Sequence, residues 1–215
     1  SGHEVVVYPD RCPEKNIERA ADADIVIESN MPLRKDFFDA CPNLKMLSIA
    51  FTGLDHIDLK ECERRGIIVK NAAGYSTEAV AEESICMMIG LYRHIIENDK
   101  ITRNCCGVPM VPGREIANKT VGVIGTGKIG QVFINICLGF GMKVLAYDKF
   151  PNHELENRSM RYVPLDELFE KSDVISLHCP LTEETYHVID QNSLDKCKKG
   201  VVILNTSRGA LVDAE

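Results

Sequence analysis

Residues 119–130 read KTVGVIGTGKIG, and after one helical stretch residues 143–148 read KVLAYD. The apolar run 121–124 suits a strand buried on both faces, and Gly125, Gly127 and Gly130 follow it at G-x-G-x-x-G spacing. Each glycine omits a Cβ for its own reason. Gly125 permits the tight turn out of the strand, Gly127 opens the backbone to close approach, and Gly130 lets the next helix pack on the sheet. The spacing predicts a helix over residues 128–139, whose free N–H groups and positive dipole end point back at the loop. The loop, with Thr126, Lys128 and Ile129 between its glycines, is therefore shaped for a pyrophosphate.

A second strand, residues 143–147, ends in Asp148, eighteen residues beyond Gly130. A dinucleotide fold needs an acid at this place to accept hydrogen bonds from the adenosine ribose. That carboxylate would repel a 2′-phosphate, which favours NAD over NADP, and the neighbouring Lys149 weakens the preference a little. A lone glycine triplet is more often just a tight turn. Strand before, helix after and acid at the right distance together make the nucleotide reading the stronger one.

The chain has 215 residues, enough for one or two domains, with 45% hydrophobic and 27% charged residues. A net charge of -7 and the lack of a basic run argue against nucleic acid as a partner. No apolar stretch has the length of a bilayer span and no leader pattern is visible, so a cytoplasmic protein without membrane contact is expected. Nine cysteines include no C-x-x-C pair and no metal-ligand spacing with histidine. They read as reduced thiols, with no metal site expected even at the adjacent Cys105 and Cys106.

Upstream of the glycine loop, residues 4–8, 24–28, 44–50 and 67–70 read as strands separated by helical segments, which implies a parallel α/β sheet. Ser76 is a candidate N-cap for a long helix over residues 76–98, with Glu78 and Glu82 favouring the positive dipole end. Pro109, Pro112 and Gly113 then interrupt regular structure, and the domain boundary is expected near residue 100. Downstream, a helix over 165–171, a strand over 173–179 and another over 201–204 predict a second parallel sheet of at least four strands. The segments HCPLT (178–182) and NTSRG (205–209) fall at its carboxyl edge, where open α/β sheets bind ligands.

GTGKIG, Asp148, SLHCPLT and NTSRGALVD, preceded by AFTGLDHID (50–58) and NAAGYSTEAVAE (71–82), resemble in their order the D-isomer-specific 2-hydroxyacid dehydrogenase family. The resemblance covers nearly the whole chain. It implies a flavodoxin-like substrate domain over residues 1–99 and a Rossmann doubly wound NAD domain over 100–215, the latter incomplete. It also implies hydride transfer between NAD and a small 2-oxo or D-2-hydroxy acid, of the pyruvate/D-lactate or hydroxypyruvate/D-glycerate type. The GTGKIG and HCPLT segments are most similar to D-lactate dehydrogenases, whereas FTGLDHID and GYSTEAVAE are closer to glycerate or phosphoglycerate dehydrogenases. The substrate therefore stays open.

By the same resemblance, Arg208 would hold the substrate carboxylate and polarise its carbonyl, work that suits a planar, permanently cationic fork. Thr52 and Gly53 would grip the carboxylate through backbone N–H groups, with Tyr75 lining the pocket. His178, Cys179 and Pro180 would run beside the nicotinamide half, Thr185 near the dinucleotide, and Thr206, Ser207 and Arg208 below it. Cys179 reads as a packing residue, since no base is positioned to activate it. The family's general acid/base is a histidine paired with a glutamate beyond the arginine motif, so the chain is expected to be truncated at its C-terminal end. A homodimer through the helix beginning at Ser76 is also implied. The rival reading is an NAD(H)-sensing protein-binding module of the same fold. A short-chain dehydrogenase is set aside, because none of the six tyrosines has lysine four residues on.

Overall fold

A computed structural model of the chain describes residues 2–9, 12–104, 107 and 109–215. Two compact units divide the chain between Tyr75 and Ser76. In the first, helix α1 (Asn16–Ala20) leads to strand β1 (Ile25–Glu28), α2 (Lys35–Ala40), β2 (Met46–Ile49), α3 (Leu59–Arg65) and β3 (Ile68–Asn71). The three strands are parallel in the order β1-β2-β3, with Ile25 opposite Met46 and Met46 opposite Ile68. Period-2 alternation sends Leu47 and Ile49 into a core with Leu33, Phe37, Phe38, Ile57 and Cys62. The opposite side chains Ile25, Ile27 and Ile68 stay exposed. Helix α3 shows why its sequence is helical: Asp58 caps it by accepting from the Glu61 N–H, and Gly66 ends it in the left-handed conformation at φ 69°.

The expected strand over residues 4–8 does not form. Val5, Val6 and Val7 are exposed and the segment joins no sheet. Three valines have the propensity for a strand, but a strand exists only by pairing, and the segment pairs with neither edge of the sheet.

The second unit begins with α4 (Thr77–Arg93) and α5 (Ile95–Arg103). The single long helix expected over 76–98 is broken at His94, which adopts φ 50° and ends α4 by donating its N–H to Gly90 and Leu91 carbonyls. Ser76 occupies the N-cap position of α4, yet its side chain makes no cap hydrogen bond. Ala81, Ile85, Met88 and Tyr92 form the buried stripe of α4, packed in one core with Phe133, Val121 and Leu204. For that reason α4 belongs by packing to the second unit, and the division falls before it and not near residue 100. Cys105 and Cys106 lie outside the described residues; the seven other cysteines are free thiols.

Strand β4 (Thr120–Ile124), α6 (Lys128–Gly139), β5 (Lys143–Tyr147) and β6 (Met160–Tyr162) follow, then α7 (Leu165–Lys171), β7 (Val174–Leu177), α8 (Gln191–Lys196) and β8 (Val202–Asn205). The sheet is parallel throughout, in the order β6-β5-β4-β7-β8. The chain thus builds outward from β4 to β6, then returns to the other side of β4 for β7 and β8. The order reverses at β4, which makes its carboxyl end the topological switch point. Val121, Val123 and Ile124 in β4 and Val174, Ile175 and Leu177 in β7 are buried, as expected for strands covered on both faces. Among the described residues no helix is long and apolar enough to cross a membrane.

Candidate dinucleotide-binding site

The glycine loop sits at the switch point, between the exits of β5 and β7. Gly125 has φ 98°, and a Cβ there would lie 2.5 Å from the Cys179 nitrogen and 2.6 Å from the His178 carbonyl carbon. Only glycine fits that turn. A Cβ on Gly130 would lie 2.1 Å from the Gly125 carbonyl oxygen, so α6 starts where a side chain would collide with the loop. Gly127, the N-cap of α6, differs from both. Its φ is −65°, and a Cβ there would meet nothing within 4 Å. Its lack of a side chain therefore serves open space and not packing, in front of the free N–H groups of a twelve-residue helix. That combination fits a pyrophosphate.

Asp148 leaves β5 and binds the loop. One carboxylate oxygen accepts from the Thr126 N–H at 2.6 Å and from the Thr126 hydroxyl at 3.0 Å; the other accepts from the Phe150 N–H at 2.9 Å. The Thr126 hydroxyl also lies 2.8 Å from the Tyr162 hydroxyl on β6. A carboxylate offers about four lone-pair sites, so the Phe150-bound oxygen retains capacity for a ribose hydroxyl. Tyr162 was not anticipated from sequence, because a three-residue strand carries no readable alternation.

After β7, the His178 ring turns inward and packs on Phe133 of α6 with ring centres 4.8 Å apart. Its Nε2 lies 2.9 Å from the Ser176 hydroxyl, while Nδ1 is buried without a hydrogen-bond partner. Burial lowers its pKa to about 4, so the ring is neutral at ordinary pH. Cys179 is 8% exposed and burial raises its thiol pKa, which agrees with a packing role. Pro180 is exposed, and its carbonyl accepts from the Thr185 hydroxyl at 2.6 Å. Thr185 thereby fixes the turn that carries Glu184.

The loop after β8 is held from three sides. Ser207 donates its hydroxyl to the Leu177 carbonyl at 2.9 Å, Asn205 donates its amide to the Arg208 carbonyl at 2.8 Å, and Thr206 lies 3.0 Å from the buried Ser84 hydroxyl of α4. Arg208 is half-buried and donates to the Ser207 carbonyl at 3.1 Å. Ser84 was readable in principle, since it falls on the same helical stripe as Ala81, Ile85 and Met88.

The structure brings the glycine loop, Asp148, residues 178–185 and residues 206–208 to the carboxyl edge of one sheet. Thr52, Gly53 and Tyr75 belong to the first unit. Thr52 and Gly53 follow β2, Tyr75 follows β3, and the Asn71 amide joins the two exits by donating to the Thr52 carbonyl at 2.6 Å. Tyr75 is 60% exposed.

A glycine-loop sheet with this strand order and an acid at the exit of the next strand defines a dinucleotide-binding α/β protein. Residues 85–215 match the family model described as D-isomer specific 2-hydroxyacid dehydrogenase, NAD binding domain. The chain belongs to that family. It is 37% identical over 209 residues to a hydroxypyruvate reductase of Blautia hydrogenotrophica, covering 93% of this chain and 64% of the relative. A crystal structure of D-lactate dehydrogenase from Aquifex aeolicus, complexed with NAD and lactic acid, matches with TM-score 0.86 and 36% identity, covering 92% of this chain and 60% of that one. An acyclic imino acid reductase in complex with NADPH and D-arginine matches with TM-score 0.82 and 32% identity, covering 94% and 66%. The chain thus spans less than two thirds of the length of each of these proteins.

Proposed function

We propose that the protein carrying this chain interconverts a small 2-oxo acid and its D-2-hydroxy acid with NAD(H), the pyruvate/D-lactate and hydroxypyruvate/D-glycerate pairs being the substrates to test. The observation that carries this reading is Asp148, bonded to the glycine loop at the exit of β5 while keeping acceptor capacity. Bound NAD(H) would supply the hydride donor or acceptor.

The chain's own residues supply the rest. Gly127 and the start of α6 receive the pyrophosphate, and Asp148 takes the ribose hydroxyls and disfavours a 2′-phosphate. Arg208, on a loop tied down by Ser207, Asn205 and Thr206, would bind the substrate carboxylate and stabilise negative charge growing on the carbonyl oxygen. Thr52 and Gly53, in the first unit, would present backbone N–H groups to a carboxylate, with Tyr75 beside them. The cofactor role thus falls on the second unit, which also carries Arg208. His178 is not offered as the proton donor, since burial depresses its pKa and its ring packs inward. A homodimer in the cytoplasm completes the reading, and sedimentation tests its oligomeric part.

The test is NADH titration by fluorescence, followed by NADH-dependent reduction of pyruvate, hydroxypyruvate, glyoxylate and 2-oxobutyrate. Saturable NADH binding supports the cofactor half, and the preferred acid identifies the substrate. Failure to bind NADH removes the proposal.

A further inference from the structure

Lys149 follows Asp148 directly, so a cation stands one residue from the acid that is to meet the ribose. By itself it would offset the repulsion of a 2′-phosphate by Asp148. It is not by itself: the Lys149 ammonium contacts both carboxylate oxygens of Glu184, at 2.5 and 2.7 Å. Glu184 arrives from the loop after β7, two strands away across β4, on a turn fixed by the Thr185 hydroxyl. That hydroxyl donates to the Pro180 carbonyl and accepts from the Thr182 N–H at 2.8 Å. The carboxylate is therefore presented from a set position.

We propose that Glu184 is a cofactor-specificity determinant that engages Lys149 and withholds its charge from a 2′-phosphorylated dinucleotide, so that NAD(H) is preferred over NADP(H). With the pair formed, Asp148, Lys149 and Glu184 sum to one negative charge at the ribose edge. With Glu184 neutral, the sum is zero and the ammonium is free. A lysine suits this role because its charge is a point on a flexible stem that can swing to a new anion. Its side chain is 59% exposed and that of Glu184 65%, so the pair is screened and its influence is modest. A structural neighbour of this fold is in complex with NADPH, so the architecture accommodates a 2′-phosphorylated dinucleotide.

The proposal rests on the dinucleotide reading above. Its test measures dissociation constants for NADH and NADPH by fluorescence titration of the full 215-residue chain in four forms: unsubstituted, Glu184→Gln, Lys149→Gln, and the double variant. Thermal melting verifies that each is folded. The expected result is that Glu184→Gln lowers the NADPH/NADH ratio of dissociation constants by roughly twofold to fivefold. The same substitution is expected to change the ratio much less in the Lys149→Gln background. An equal change in both backgrounds would show that Glu184 acts through its own charge, which overturns the proposal, as would an unchanged ratio in folded Glu184→Gln. Loss of all NADH binding by the unsubstituted chain would instead overturn the dinucleotide reading itself.

Discussion

The Asp148 carboxylate accepts the Thr126 backbone N–H at 2.6 Å, so the acid proposed to meet the ribose also pins the middle of the glycine loop. Asp148→Ala removes both functions. It is expected to weaken NADH binding at least about tenfold and to cost about 1–3 kcal/mol of stability, because a part-buried N–H loses its acceptor. Asp148→Asn keeps an acceptor and loses the charge, so it should recover most of the stability and little of the NADH-over-NADPH preference. Urea denaturation and dual-cofactor titration separate the two effects, and equal stability of both variants would count against the pinning role.

Two glycines of the loop predict opposite phenotypes. Gly127→Ala places a methyl in open space at an ordinary φ, so the melting temperature should stay within a degree or two while NADH affinity falls. Gly130→Ala drives a Cβ onto the Gly125 carbonyl, and about 2–3 kcal/mol of stability should be lost. Calorimetry beside binding measurements checks the contrast. If Gly127→Ala bound NADH normally, the pyrophosphate would not lie where that space is.

His178 makes stability depend on pH. Its pKa is near 4 in the folded chain against an ordinary value of 6.5, so the unfolded chain binds the extra proton between those limits. Stability is therefore full above about pH 6.5 and falls as the pH drops toward 4, by about 3 kcal/mol in total for this group. Replacing His178 with Gln should flatten the difference between unfolding free energies measured at pH 6.5 and 4.5. Parallel slopes for the two proteins would exclude this histidine as the source.

His94 holds φ 50° at the junction of α4 and α5. Glycine tolerates that region without a Cβ penalty, so His94→Gly is expected to be neutral or to stabilise by up to about 1 kcal/mol. Pro at the same position should be severely destabilising, because its ring cannot reach a positive φ. Thermal unfolding of both variants decides whether the break is a built feature of the second unit.

How far the sequence could be read follows from what each feature depends on. Helices α6 and α7 and strand β5 begin and end where pattern and punctuation place them, because buried parallel strands are continuous apolar runs bounded by glycine or acid. The EVVVY segment misleads for the same reason: its valines advertise a strand, but pairing is a property of neighbours. The break at His94 carries no glycine or proline to mark it. That the loops at 125–130, 178–182 and 205–209 meet at one sheet edge was legible from motif order, whereas the contacts that hold them were not. Tyr162 with Thr126, Ser84 with Thr206 and Lys149 with Glu184 join residues 36, 122 and 35 positions apart, distances that no local pattern spans.

The contact between Gly125 and the His178–Cys179 backbone has a consequence for how the chain acquires its ligand. The turn that follows β4 is completed by a strand that lies some fifty residues further on, so a nascent chain emerging from the ribosome has every glycine in place long before the cradle exists. Parallel pairings of this separation close late. A peptide covering only residues 119–148 should therefore ignore the nucleotide, and cofactor present during synthesis would capture only chains whose β7 has already docked, acting as a proofreader of the finished sheet.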